Sequence, residues 1–147
     1  MSIKHVSNKL FTFPIRVYWE DTDAGSIVYY ANYLKFFERA RSEWLRRLGV
    51  EQGSLLEKEG CMFVVSEIKT KFHRPARIDD LLQVSVNIKQ IGHASISLHQ
   101  TATINTNGNN TNQDVLLLCE GTVRLACVQQ TSMRPVAIPK TIVSLII

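Results

Sequence analysis

The chain has 147 residues, of which 45% are hydrophobic and 20% are charged, values of an ordinary globular protein that exclude a disordered, collagen-like or coiled-coil chain. The length predicts a single domain over residues 1–147. The 17 basic and 13 acidic residues leave a formal net charge of +4, which suits an anionic ligand, and no block of basic residues points to nucleic acid.

The first predicted elements are a strand and a long helix. Alternating apolar residues predict a half-buried strand over residues 13–19, followed by turn formers at 21–26. From residue 32 to residue 48 the apolar period becomes that of a helix, with one face made of Tyr33, Phe36, Phe37, Ala40, Trp44 and Leu48. Asn32 is the predicted N-cap and Gly49 the predicted C-terminal stop. A small sheet is expected to cover only part of this aromatic face, which predicts a homo-oligomer.

The rest of the chain predicts four more strands. One short helical turn is expected within residues 50–60, and strands are expected at 63–72, 81–90, 93–105 and 115–128. A polar hairpin loop is predicted at 105–112, and an irregular tail after Gln129. Because no βαβ repeat follows the helix, the predicted class is α+β, with an antiparallel sheet wrapped around one long central helix.

The cysteines predict a reducing compartment. Cys61, Cys119 and Cys127 are odd in number and lack C-x-x-C spacing, which argues against disulfides and against zinc. The N-terminus has no apolar segment typical of a signal peptide, and the apolar run at 115–119 is too short to cross a bilayer. The expected location is therefore the cytoplasm.

Several familiar catalytic signatures are absent from the sequence. There is no phosphate-binding glycine loop, no H-E-x-x-H zinc motif and no G-x-S-x-G elbow. The histidines, which are His5, His73, His93 and His99, are scattered, and they are interpreted as surface or strand-face residues rather than metal ligands. The run at 69–77 alternates basic and other residues, and it is interpreted mainly as a solvated strand face and loop, with ligand contact as the alternative.

One dense acidic loop precedes the long helix. Asp21 and Asp23 lie in the run 20–33, next to a helix N-terminus with unpaired N–H groups and a partial positive charge. A carboxylate facing free backbone donors suits acyl transfer, because the donors hold a developing oxyanion while the carboxylate attacks or activates water. The alternative is that the loop is only a turn that complements the helix dipole.

The run at 21–45, DTDAGSIVYYANYLKFFERARSEWL, resembles the signature of the 4-hydroxybenzoyl-CoA thioesterase family. Within that family it is most similar to the Tol-Pal-associated acyl-CoA thioesterases of Gram-negative bacteria, and further similarity at 63–66, 72–82 and 124–128 extends the resemblance over about residues 13–139. The resemblance implies a hotdog fold and hydrolysis of acyl-CoA without a metal or redox cofactor. It also implies homodimers or homotetramers with active sites at the dimer interface.

The resemblance assigns roles to individual residues of the loop. Asp23 matches the catalytic carboxylate, as nucleophile or general base, and the backbone N–H of Tyr30 matches the donor that polarises the thioester carbonyl. Asp21 is interpreted as structural, and Asn32 and Tyr33 match the motif without a chemical role.

The sequence departs from the family pattern in two places. Close relatives usually carry histidine where this chain has Tyr30. The unperturbed pKa of tyrosine is about 10, whereas that of histidine is about 6.5. Some members hold the CoA phosphates with basic residues in the turn that matches 91–94, where this chain offers only His93 and nearby Lys89. The phosphate contacts are therefore left unassigned.

A second function is consistent with the same residues. The chain could serve as a non-catalytic adaptor that binds acyl-CoA or acyl carrier protein in an envelope or lipid-synthesis complex, peripheral to the inner membrane. The intact Asp23 favours the enzyme, and the tyrosine at position 30 keeps the adaptor as the alternative. The acyl preference and the choice between dimer and tetramer stay open.

Overall fold

The computed structural model describes residues 10–106 and 114–147. Within these ranges the strands are β1 (Phe11–Arg16), β2 (Cys61–Phe72), β3 (Leu81–Ile91), β4 (Ser95–Asn105) and β5 (Val115–Gln129). The helices there are α1 (Asn32–Arg47), α2 (Gln52–Glu59) and α3 (Lys140–Ile146), and a short 3₁₀ turn spans Trp19–Asp21. In this described part of the chain, no helix has the length and apolar character needed to cross a bilayer.

The strands form one antiparallel sheet in the order β1-β3-β4-β5-β2. Strand β4 shows the two-residue period of a sheet with one covered face, since residues 96, 98, 100 and 102 are buried and those that alternate with them are half-exposed. Pro14 lies in β1 at the sheet edge, where its missing N–H costs no ladder bond. The predicted α+β class, with an antiparallel sheet around one long helix, is confirmed.

Helix α1 lies on the covered face of the sheet and supplies much of the core. The side chains of Tyr33, Phe36, Phe37 and Ala40 are at most 3% exposed. A side chain at Gly121 would begin 3.1 Å from the ring of Phe37, so glycine there lets the helix approach β5 closely. The expectation that a small sheet would leave this face partly uncovered is therefore wrong, because the five strands of one chain already bury these rings.

A polar pair is buried between α1 and the sheet. Arg41 is 7% exposed, and its Nη1 donates to Oε1 of Gln100 at 2.9 Å. The amide of Gln100 donates in turn to the carbonyls of Phe37 at 3.0 Å and Ser85 at 3.2 Å. Burial lowers the pKa of Arg41, and the charge of Glu38 acts in the opposite direction. No motif or periodicity in the sequence predicts this contact.

The start of the chain's long helix differs in detail from the prediction. Ala31 occupies the N-cap position with no side-chain cap, so the assignment of Asn32 as N-cap is wrong. Asn32 is the first helical residue, and its Nδ2 donates to the carbonyl of Asp21 at 2.9 Å. Backbone bonds from Tyr33 to Tyr30 and from Leu34 to Ala31 show that a tight turn precedes the helix. The predicted stop is confirmed, since Gly49 has a φ of 90°.

Several other boundaries move by a few residues or more. The predicted strand at 13–19 ends at Arg16. The N–H of Val17 then donates to the carbonyl of Asp80, and the carbonyl of Val17 accepts the N–H of Asp79. Strand β4 begins at Ser95 rather than at 93, and the turn predicted within 50–60 is the eight-residue helix α2.

The tail is the largest error, because helix α3 follows Pro139 and buries Ile142 and Ile146 against the core. Most of the predicted polar loop, residues 107–112, lies outside the described residues, and the N–H of Thr106 is hydrogen-bonded to the carbonyl of Asp114.

Candidate active site

The loop between the 3₁₀ turn and α1 is a tightly bonded turn. Asp23 N–H donates to the carbonyl of Ile27 at 2.9 Å, and Ser26 N–H donates to the carbonyl of Asp23 at 3.0 Å. Ser26 takes a φ of 63°, in the left-handed region that tight turns require. Val28 N–H then donates to the carbonyl of Ala76 at 2.9 Å, which ties the loop to the segment that follows β2.

The side chain of Asp23 is exposed at the tip of this turn. Its Oδ1 accepts the N–H of Gly25 at 2.8 Å, a hydrogen bond within the loop itself. The pKa of Tyr29 is raised above its ordinary value, mainly by the neighbouring Tyr30 hydroxyl and more weakly by the negative charge of Asp23. The charge of Asp23 therefore acts on the tyrosine pair that follows it in the same loop before α1.

Asp21 has a different environment from Asp23. It is 6% exposed, and its Oδ2 accepts the N–H of Tyr18 at 2.8 Å. Its carbonyl accepts both Tyr29 N–H at 3.0 Å and the side-chain amide of Asn32. With these contacts Asp21 holds the two ends of the loop together, and its carboxylate is turned away from solvent.

Tyr30 is 62% exposed and stands just before α1. Its N–H makes no hydrogen bond with any residue in the ranges 10–106 and 114–147. The ring lies 4.8 Å from that of Tyr29 and 6.1 Å from that of Phe72, between ring centroids. The free N–H of Tyr30 is close to the positive end of the helix dipole, so it is suited to hold a developing negative charge.

A groove of about 330 Å³ opens beside Tyr30. Its walls include Val28 and Tyr33 on one side and Phe72, Arg74 and Pro75 on the other. The hydroxyl of Tyr33 accepts the N–H of Ala76 at 3.2 Å, and burial raises the pKa of this tyrosine. An apolar group of modest size, such as the acyl part of a thioester, fits a groove with these walls.

Two of the histidines that the structure describes face one glutamate, and one of them, His73, also lines the groove beside Tyr30. His73 Nε2 is 3.5 Å from Oε1 of Glu120, and His99 Nε2 is 3.9 Å from Oε2 of the same carboxylate. His5 lies outside the described residues. The sequence did not predict that two histidines would share one glutamate, because β5 brings Glu120 between them only in the folded sheet.

The turn at 91–94, which matches the phosphate-binding turn of some family members, is remote from the groove within one chain. Phe72 pairs with Cys119 on β5, whereas Ser95, beside the turn at 91–94, pairs with Ala126. The seven residue steps from 119 to 126 span roughly 23 Å of strand. The structure therefore does not bring Lys89 or His93 of the same chain to Tyr30. Arg74, which the sequence analysis treated as part of a solvated run, lines the groove instead.

The chain belongs to the thioesterase-like superfamily, whose family model matches residues 17–146. Among its relatives is the acyl-CoA thioesterase YbgC of Haemophilus influenzae, which is 44% identical over 90% of each chain. The acyl-CoA thioester hydrolase YbgC of Escherichia coli is 40% identical over 95% of this chain and 97% of its own. The family resemblance predicted from residues 21–45 is therefore confirmed.

A solved structure of similar fold is that of a 4-hydroxybenzoyl CoA thioesterase complexed with 4-hydroxybenzoyl CoA. It superimposes with a TM-score of 0.85 over 94% of this chain and 99% of its own, at 19% sequence identity. This similarity confirms the predicted hotdog fold.

Proposed function

We propose that the chain is an acyl-CoA thioesterase, which converts an acyl-CoA and water into a free acid and CoA. The observation that carries this proposal is an exposed Asp23 carboxylate, on a turn whose N–H bonds the groove residue Ile27, together with the free N–H of Tyr30 on the same apolar groove. The relatives named acyl-CoA thioesterase over nearly their full length support the same activity.

The Tyr30 N–H and the N-terminal end of α1 polarise the thioester carbonyl in this proposal. Negative charge builds on the carbonyl oxygen as the carbon becomes tetrahedral, and a fixed donor with a favourable dipole stabilises that charge. Asp21 is proposed to take no chemical part, because its carboxylate is buried and already bonded to Tyr18.

Asp23 acts on the same carbonyl carbon in one of two ways. As a general base it takes a proton from water, whose oxygen attacks the carbon, and the C–S bond then breaks. As a nucleophile its own oxygen attacks, and water hydrolyses the resulting anhydride. In both routes the departing CoA thiolate takes up a proton to give the thiol.

A panel of acyl-CoA substrates tests this proposal. Wild-type protein and Asp23→Asn would be assayed for release of CoA thiol from short aliphatic, long aliphatic and aromatic acyl-CoAs. We expect turnover by the wild type on at least one substrate and a loss on the order of 10² or more in the variant. Tight binding of acyl-CoA with no turnover on any substrate would favour the adaptor function instead.

We propose further that the chain acts in the cytoplasm as a homodimer or homotetramer. The three cysteines are buried and unpaired, which suits a reducing compartment. Edge strand β2 carries the exposed apolar side chains of Val65 and Phe72. Tyr30, just before α1, and Leu34, in its first turn, are also exposed. Sedimentation at micromolar concentration should give at least a dimer, and a stable, active monomer would contradict this assembly.

A further inference from the structure

Arg74 is a cation on the wall of the groove whose guanidinium makes no ion pair or hydrogen bond with a described residue. Other arginines near α1 are engaged within the chain. Arg16 donates to the carbonyl of Asp79 at 2.7 Å, Arg41 donates to Gln100, and Arg47 stacks on the ring of Phe11 at 5.8 Å. Arg74 is therefore a charged donor that is available to a bound molecule.

The backbone that carries Arg74 is fixed on both sides. The N–H groups of His73 and Arg74 both donate to the carbonyl of Leu118, at 2.8 and 3.1 Å. Pro75 follows with a restricted φ, and Ala76 N–H is held by the Tyr33 hydroxyl. A side chain that leaves such an anchored backbone loses less conformational freedom on binding than one on a free loop.

The two charges near the groove have opposite sign. Asp23 lies on the turn whose N–H bonds the carbonyl of Ile27, a groove residue, while Arg74 lies on the groove wall with Phe72 and Pro75. A thioester with an anionic group elsewhere in the molecule is attracted to Arg74 and repelled by Asp23. This asymmetry would orient the substrate with its anionic group at Arg74 and its carbonyl at Tyr30.

We propose that Arg74 binds an anionic group of the thioester substrate, either a phosphate of CoA or a carboxylate at the far end of the acyl chain. The inference rests on the proposed thioesterase function and adds the residue that recognises substrate charge. A guanidinium suits both groups, because its planar donors match two oxygens of a phosphate or a carboxylate at once.

The test compares three thioester substrates that carry different anionic groups. Butyryl-CoA has the phosphates, the butyryl thioester of N-acetylcysteamine has none, and succinyl-CoA adds an acyl carboxylate. We expect Arg74→Gln to raise KM about 10-fold or more while kcat changes less than about 2-fold, since a charge-assisted bond is lost in binding. Arg74→Lys should recover part of the loss, and added salt should shrink the difference between wild type and Arg74→Gln.

The pattern across substrates identifies the group that Arg74 binds. A higher KM for both CoA thioesters but not for the N-acetylcysteamine thioester supports a phosphate, and a higher KM for succinyl-CoA alone supports the acyl carboxylate. Unchanged KM for all three, or an equal rise that includes the phosphate-free thioester, overturns the proposal. Arg134→Gln, an exposed arginine in the segment after β5, is the matched control and should behave as wild type.

Direct binding separates this inference from the activity on which it rests. If the wild type hydrolyses none of the thioesters, the proposed function fails, and calorimetric titration of butyryl-CoA and succinyl-CoA still tests Arg74. A roughly 10-fold weaker Kd in Arg74→Gln for either ligand supports the anion contact. Equal Kd values in the two proteins for both ligands overturn it.

Discussion

Replacing each acidic residue of the loop by its amide should separate activity from stability. Asp23→Asn keeps the size of the side chain and an oxygen that can accept the Gly25 N–H, so the turn should persist. The negative charge needed for attack or for proton removal is lost, and kcat should fall on the order of 10² or more. The melting temperature should stay within about 2 °C, because a surface change of this kind is worth at most about 0.5 kcal/mol.

Asp21→Asn should have the opposite profile. Its Oδ2 accepts the Tyr18 N–H at 2.8 Å in a residue that is 6% exposed. A hydrogen bond to a charged group is worth roughly 1.5–3 kcal/mol and a neutral one about 1, so the exchange should cost about 1 kcal/mol or somewhat more. This corresponds to a fall in melting temperature of roughly 2–4 °C for each kcal/mol, while kcat should stay within about tenfold of wild type.

Two measurements on the same samples decide the assignment. Release of CoA thiol gives kcat and KM on the best substrate of the panel, and calorimetric melting gives stability at matched protein concentration. Circular dichroism confirms that each variant is folded before its rate is interpreted. Equal losses of kcat in the two variants, or a larger loss in Asp21→Asn, would show that the wrong carboxylate carries the chemical step.

Three further predictions concern the helix start, the buried polar pair and the thiols. Tyr30→Phe should keep activity within about tenfold of wild type because the backbone donor remains. Tyr30→Pro removes the N–H and should lower kcat about 10²–10³-fold, provided that circular dichroism shows an intact fold. If Tyr30→Phe were as inactive as Asp23→Asn, the phenol would be a chemical participant. Gln100→Leu leaves the Arg41 guanidinium without its acceptor and should lower the free energy of unfolding, measured in urea, by about 1.5–3 kcal/mol. A loss below about 0.5 kcal/mol would show that this hydrogen bond does not stabilise the fold. Burial raises the pKa of the Cys119 and Cys127 thiols to about 12 from 9.0. The unfolded chain therefore loses these protons at lower pH than the folded one, and the urea midpoint of unfolding should fall as pH rises above about 9. A midpoint that is flat from pH 8 to pH 10.5 would contradict this burial.

The local chemistry of the sequence was enough to predict the long helix and the class of fold. The 3.6-residue spacing of Tyr33, Phe36, Phe37 and Ala40 defines a helical face wherever the helix packs, and Gly49 ends it through its own backbone freedom. The motif that contains Asp23 and Tyr30 is also local, since its turn and the helix start are made by neighbouring residues. Short-range patterns of this kind are read from the chain without knowledge of the fold.

Long-range pairings were decided only by the tertiary structure. Arg41 meets Gln100 across 59 positions of sequence, and no local pattern distinguishes this arginine from the exposed ones beside it. Arg74 reaches the groove because the backbone after β2 is hydrogen-bonded to Leu118 and the N–H of Ala76 is hydrogen-bonded to Tyr33. These contacts exist only once β2 pairs with β5 and α1 packs on the sheet. Periodicity assigns a residue to a face, whereas the partner across that face depends on strand order and register, and these are set by the packing of the whole sheet.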